Sequence, residues 1–109
     1  MNDYSMVITT AASLEEANSI AKVLLDNRLA ACVQMFNIKS MYIWQGEVCE
    51  SGEVALHIKS KTILFNEIKK AIKANHSYDV PEIIQIPITD GSSEYLEWIK
   101  ESTIKESTI

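Results

Sequence analysis

The chain has a single arginine, Arg28, with two cysteines, two prolines and three glycines among its 109 residues. Each scarcity excludes something. One guanidinium gives no second planar fork with which to clamp a phosphate bidentately. A net charge of −5 with scattered lysines argues against a nucleic-acid partner, because phosphate backbones are bound through clustered Lys and Arg. Cys32 and Cys49 are too few for a disulfide framework, and they share no CxxC spacing with each other or with His57 and His76. They read as reduced thiols, one packed inside and one near a turn. No apolar run approaches the roughly 20 residues needed to span a bilayer, so no membrane role is expected. Residues 1–5 show no basic segment followed by an apolar one, and the expected compartment is the cytoplasm.

What is present suits one compact domain across residues 1–109, with 47% of residues apolar and 23% charged. Residues 6–10 are apolar and β-branched, which predicts a strand. Ser13 and Glu16 then have the spacing of a capping box, followed by Leu14, Ala17, Ile20, Ala21 and Leu24 at helical intervals to about Asn27. Small Ala17 and Ala21 would let that helix lie close against a sheet. The longest extended stretch runs from about Ala31 to Trp44. Val33, Met35, Met41 and Ile43 alternate on one side, and Phe36, Ile38, Tyr42 and Trp44 on the other. Asn37, Lys39 and Ser40 interrupt both sets and predict a bulge or bend there.

Gln45-Gly46 predicts a two-residue hairpin turn. The return strand carries Val54, Leu56 and Ile58 on one face, opposite Glu53, Ala55, His57 and Lys59. A second helix is expected from about Lys61 to Asn75, capped by Ser60 or Thr62, with Phe65, Ile68, Ala71 and Ile72 inward. Its Lys69, Lys70 and Lys73 read as a solvated face. Residues 76–81 form a loop, and residues 82–88 a strand whose Pro87 cannot donate to a ladder and so belongs on an edge. Asp90-Gly91 turns into a last helix bearing Tyr95, Leu96, Trp98 and Ile99. The five-residue repeat of residues 99–108 fits neither helix nor strand, and a frayed tail is expected over residues 103–109, after an ordered core of about 6–102.

The order β-α-β-β-α-β plus a helix is that of an α+β, ferredoxin-like domain with an extra C-terminal helix. Two right-handed βαβ units put both main helices on one side of an antiparallel sheet and leave its other side open. An open face should read polar, yet the long strand is apolar on both sides. Leaving such side chains wet forgoes roughly 1.5–3 kcal/mol each. The last helix can cover only part of the face, which predicts self-association.

Three stretches carry a resemblance. Arg28-Leu29-Ala30-Ala31-Cys32-Val33 opens the long strand. Tyr42-Ile43-Trp44-Gln45-Gly46-Glu47 forms the hairpin tip, with Glu53 and Ile58-Lys59 on the return strand. His76-Ser77-Tyr78-Asp79-Val80-Pro81-Glu82-Ile83 precedes the last strand. Together with Tyr95-Leu96-Glu97-Trp98, and over about residues 6–102, they resemble the CutA family of divalent-cation tolerance proteins. The resemblance implies a tight homotrimer with a PII-like assembly, whose long hairpins continue the sheets of neighbouring subunits. It also implies a link to the response to metal ions, copper above all, with no resident cofactor required.

Some members of the family carry Cys at the end of the first strand and paired His before the loop tyrosine. Thr9 and Asn75 occupy those positions here, so His76 and Cys32 are left as the metal-ligand candidates. Soft Cu(I) favours thiolate, and Cu(II) favours imidazole. Each has a plainer reading: Cys32 as a packed small residue, His76 as a loop residue bonded to backbone or carboxylate. His57 reads as a surface histidine, and Cys49 has no assigned role.

The resemblance further implies that Cys32, Trp44, Glu53, Lys59, Tyr78 and Glu82 gather in clefts between subunits. Their charged members are costly to bury unpaired, so they form either an ion-pair network or a pocket for an anion, metabolite or metal. The second alternative is a PII-like small-molecule sensor. Acylphosphatases share the strand order but use an arginine-bearing loop after the first strand. Residues 10–13 here hold neither arginine nor glycine, and no Ser/His/Asp arrangement is visible, so no enzyme is expected.

Overall fold

The computed structural model describes residues 2–105. Four strands and three helices follow in order: β1 (Tyr4–Ala11), α1 (Leu14–Asp26), β2 (Cys32–Trp44), β3 (Glu47–Lys61), α2 (Phe65–Ala74), β4 (Ile83–Pro87) and α3 (Ser93–Ser102). The strands form one antiparallel sheet in the order β2-β3-β1-β4, the ferredoxin-like arrangement. Pro87 falls on the edge strand β4, where its missing N–H costs no ladder bond.

Both main helices lie on one side of the sheet. Val7 and Ala11 of β1 and Val54, Leu56 and Ile58 of β3 meet Ala17, Ile20 and Leu24 of α1 and Ile68 and Ile72 of α2 in one buried core. Ala17 and Ala21 are buried, and their small side chains bring the α1 backbone close to the strands. Ser13 caps α1 by accepting the Glu16 N–H at 3.1 Å. The reciprocal half of the box is displaced by one residue: Glu16 Oε1 accepts the Ala12 N–H at 3.2 Å.

Ser60 and Thr62 do not cap α2. A three-residue 3-10 turn (Thr62–Leu64) precedes that helix without a side-chain cap. Both hydroxyls are committed elsewhere, Ser60 donating to the Leu29 carbonyl at 2.5 Å and Thr62 sharing a bond with Ser5 at 2.6 Å. These bonds tie the end of β3 to the start of β2 and to β1.

The expected bulge at Asn37–Ser40 is absent. β2 and β3 pair without a break from Cys32↔Lys59 to Trp44↔Glu47. The polar interruption falls where the hairpin leaves the rest of the sheet, because β1 ends opposite Val54. Seven further residues of β3 overhang by roughly 23 Å at 3.3 Å per residue. Gln45 (φ 51°) and Gly46 (φ 80°) close the hairpin, the paired positive φ values of a type I′ turn. The overhang gives the molecule its length, 43 × 26 × 21 Å.

On the side away from α1 and α2, α3 packs against β3 and buries Ile99 completely. It covers only part of that face, for Phe36, Ile84 and Ile86 stay 39–46% exposed. Part of the expected tail is anchored rather than frayed. The Ile104 N–H donates to the Arg28 carbonyl at 2.9 Å, and Lys61 Nζ donates to the Thr103 and Ile104 carbonyls at 3.3 and 2.7 Å. Residues 106–109 lie outside the described residues.

Candidate functional site

Register places the polar residues of β2 and β3. Directly opposed residues share a face, so Glu53 lies on the α3 side together with Ile38, Tyr42 and Trp44. Residues 78–82, between α2 and β4, close over them. The result, within the single chain, is a cleft of about 690 Å³ whose lining includes Trp44, Glu53, Tyr78 and Glu82, four of the residues that the resemblance groups between subunits.

Tyr78 ties the cleft's two walls. Its hydroxyl donates to Glu53 Oε2 at 2.9 Å. Burial, then this hydrogen bond and the negative charge of Glu53, push the Tyr78 phenol up to about 12, so it stays a donor across the physiological range. Tyr42 shares a 2.8 Å bond with Ser51 further along the hairpin.

The loop is held from beneath by His76, whose side chain is fully buried. Its Nδ1 accepts the Tyr78 backbone N–H at 3.1 Å, so that nitrogen carries no proton. Nε2 therefore carries it and donates to the Thr10 carbonyl at 2.6 Å. Glu16 completes the anchor: Oε2 accepts the Ser77 N–H at 3.0 Å, and Oε1 lies 4.0 Å from His76 Nδ1. Burial raises the Glu16 carboxyl, but the hydrogen bonds from Ser77 and Ala12 outweigh it, holding the group below its ordinary range.

Lys59 and Cys32 are not in this cleft. They oppose each other across β2 and β3, and Lys59 is six residues beyond Glu53, roughly 20 Å along the strand. Lys59 Nζ donates to Gln34 Oε1 at 2.6 Å. Cys32 lies under α3, where burial, and then the neighbouring Cys32 thiol, raise the Tyr95 phenol above its ordinary value.

The donor set does not fit one copper ion. His76 is bonded to Thr10, which opposes Ala55, and Cys32 opposes Lys59. That separates the two by roughly 13 Å along β3, against the 2 Å scale of a coordinate bond. Both nitrogens of His76 are also engaged. Among the described residues no three His, Cys, Asp or Glu side chains are grouped to hold a metal ion. Thr9 and Asn75 supply no substitute: Thr9 is fully buried, and Asn75 Nδ2 donates to the Ala71 carbonyl at 2.8 Å at the end of α2. His57 packs edge-on against Phe36 at 4.7 Å, and the Cys49 thiol faces the Glu47 carbonyl at 3.9 Å.

The model of the CutA1 divalent ion tolerance protein family matches residues 5–102. The chain belongs to that family. The divalent-cation tolerance protein CutA of Thermus thermophilus is 46% identical over 99 residues, 90% of this chain and 96% of that protein. A solved structure described as the periplasmic divalent cation tolerance protein CutA of Archaeoglobus fulgidus superposes with a TM-score of 0.90. It is 44% identical, over 91% of this chain and 97% of that one. The chloroplastic CutA of Arabidopsis thaliana is 41% identical over 90% of this chain, which spans about half, 54%, of that longer protein. CutA1-family chains thus carry this domain under names from different compartments. Among the described residues of this chain, no helix is long and apolar enough to cross a membrane.

Sequence reasoning missed Glu16 and Thr10 as loop anchors, and Lys39, Tyr42 and Asp79 as cleft residues. Glu16 was legible only as a helix-capping residue, since its second partner is 61 positions away. Tyr42 had a usable signal, because it alternates in phase with Trp44.

Proposed function

We propose that the chain acts as a non-enzymatic, homotrimeric divalent-cation tolerance protein of the cytoplasm, responding to metal ions such as copper without a resident cofactor. The overhanging hairpin carries the assembly part of this reading. Met41, Ile43, Trp44 and Val48 are 50–69% exposed on two strands that pair only with each other. An isolated hairpin is marginal in water, and its exposed edge invites pairing with another chain. Neighbouring copies would cover both faces and edges at once. Cytoplasmic placement rests on the two free thiols, Cys32 and Cys49. The non-enzymatic part rests on Arg28, the single guanidinium, which turns back to the Leu25 carbonyl at 3.5 Å, away from any phosphate-cradling loop.

Light scattering on the purified protein at micromolar concentration should give three times the chain mass, and a monomeric mass would refute the assembly. Deleting the gene should lower the copper concentration that stops growth, with restoration by the intact chain. Equal growth with and without the gene would refute the tolerance role.

A second reading, a PII-like sensor, is favoured by the convergence of Trp44, Glu53, Tyr78 and Glu82 on one cleft of small-molecule size.

A further inference from the structure

The anchor beneath residues 77–82 is built on one titratable ring. The His76 side chain is fully buried within its own chain, so packing against other subunits cannot bury it further. Its two nitrogens have opposite tasks: Nδ1 accepts the Tyr78 N–H at 3.1 Å, and Nε2 donates to the Thr10 carbonyl at 2.6 Å. Only the neutral ring can do both, because an imidazolium has two donors and no acceptor. A proton arriving at Nδ1 would set two N–H groups against each other, and the bond that holds the Tyr78 backbone would be lost.

Glu16 offers that proton a second partner. Its Oε1 lies 4.0 Å from Nδ1, just beyond hydrogen-bond reach while the ring is neutral. The Glu16 carboxyl, held below its ordinary range, is charged wherever an imidazole titrates. The groups facing the ring are Glu16 from α1, the Thr10 carbonyl from β1 and Tyr78 from the loop. The Tyr78 ring lies 4.8 Å away, with the carboxylate of Glu53 from β3 behind its hydroxyl. Glu16 is the single ionic partner of His76 among the described residues. We propose that His76 is a proton-operated latch on this loop: neutral, it holds the Tyr78 backbone, and protonated at Nδ1, it releases that N–H to water and turns toward Glu16. Ser77 stays tied to Glu16 Oε2, so release starts at Tyr78. The Tyr78–Glu53 bond then remains to tether loop to hairpin, so acidification loosens the loop's seat and leaves the helix-side core intact.

The test uses the assembled, isotope-labelled protein, with light scattering at each pH to follow its mass. Ring-nitrogen chemical shifts of His76 show which nitrogens carry protons. Amide exchange gives the protection of the Tyr78 N–H relative to a free peptide at the same pH. From about pH 8 to 5, the span in which imidazoles titrate, that protection should fall by about tenfold, with the same midpoint as the His76 titration. Protection of the β1–β3 ladder should stay constant. His76→Asn keeps an acceptor near the place of Nδ1 but takes up no proton, so its Tyr78 protection should not change with pH. Constant or rising Tyr78 protection while His76 gains its proton overturns the latch, as does a ring that stays neutral down to about pH 5. Protection lost across the whole sheet, or a change of mass at the same pH, marks unfolding or dissociation and also overturns it. Parent-like pH dependence in His76→Asn assigns the effect to another group. Should that variant not fold, agreement or disagreement of the two midpoints in the parent decides.

Discussion

Replacing Glu16 by Gln tests the anchor that positions the cleft's outer wall. The carboxylate accepts backbone N–H groups from Ala12 and Ser77, one on each oxygen. An amide of the same shape offers one oxygen and one NH₂, so one backbone donor would be left facing another donor. A hydrogen bond to a charged group contributes about 1.5–3 kcal/mol, and loss of a partner adds the desolvation of what remains. The Glu16 side chain is 16% exposed, which admits some screening by water. A cost of about 2 kcal/mol at neutral pH follows.

The pH dependence supplies a second, independent reading of the same variant. The folded carboxyl titrates below its ordinary value of 4.5, so the folded state binds fewer protons than the unfolded state between those limits. Stability from this group is complete above the unfolded value and is lost as pH falls through the folded one. Urea unfolding of parent and variant, at one protein concentration, should show the full gap at about pH 7 and a smaller gap toward about pH 3. A gap that stays constant with pH, or a variant as stable as the parent at neutral pH, would refute the assignment.

Tyr78→Phe removes the bond to Glu53 and should cost about 0.5–1.5 kcal/mol in urea unfolding, with the overall fold unchanged by circular dichroism. In the parent, spectrophotometric titration should show a tyrosinate step near 12. Persistence of that step in the variant would show that it belongs to another residue. Ile99→Ala, at the fully buried position of α3 that faces the sheet, should cost about 2–5 kcal/mol. In a Cys49→Ser background it should also speed the reaction of Cys32 with a thiol reagent. An unchanged rate would mean that α3 does not shield that thiol.

Element order and the face assignments of β2 and β3 were legible because alternation, the Ser13–Glu16 spacing and the Gln45-Gly46 turn are local signals. The errors share one physical cause, distant partners. Ser60 and Thr62 have the chemistry of helix caps, but Leu29 and Ser5, 31 and 57 residues away, take their hydroxyls. Asn37, Lys39 and Ser40 resemble a bulge signal. They instead mark where the ladder loses its neighbour β1 and polar side chains face water. Thr103 and Ile104 sit in a repeat that resembles a tail until Lys61 and Arg28 are seen to hold it.

For the cleft, sequence named Trp44, Glu53, Tyr78 and Glu82 together, and the structure places these four around one volume. Lys59 and Cys32 were grouped with them because the resemblance implies clefts between subunits, and within one chain they lie apart. Six residues of β3 put Lys59 far from Glu53 although both face the same way.

The hairpin overhang also sets the order in which the chain can acquire structure. From its two-residue turn, β2 and β3 can zip together by local steps on the microsecond scale. β1 must instead find partners 43 (Ala11, Val54) to 57 (Tyr4, Lys61) positions away, and loop-closure entropy delays such pairings. During that interval the hairpin presents Met41, Ile43, Trp44 and Val48 before the central strand has docked. The surface suited to joining finished subunits is then the one most exposed to premature association in a refolding chain.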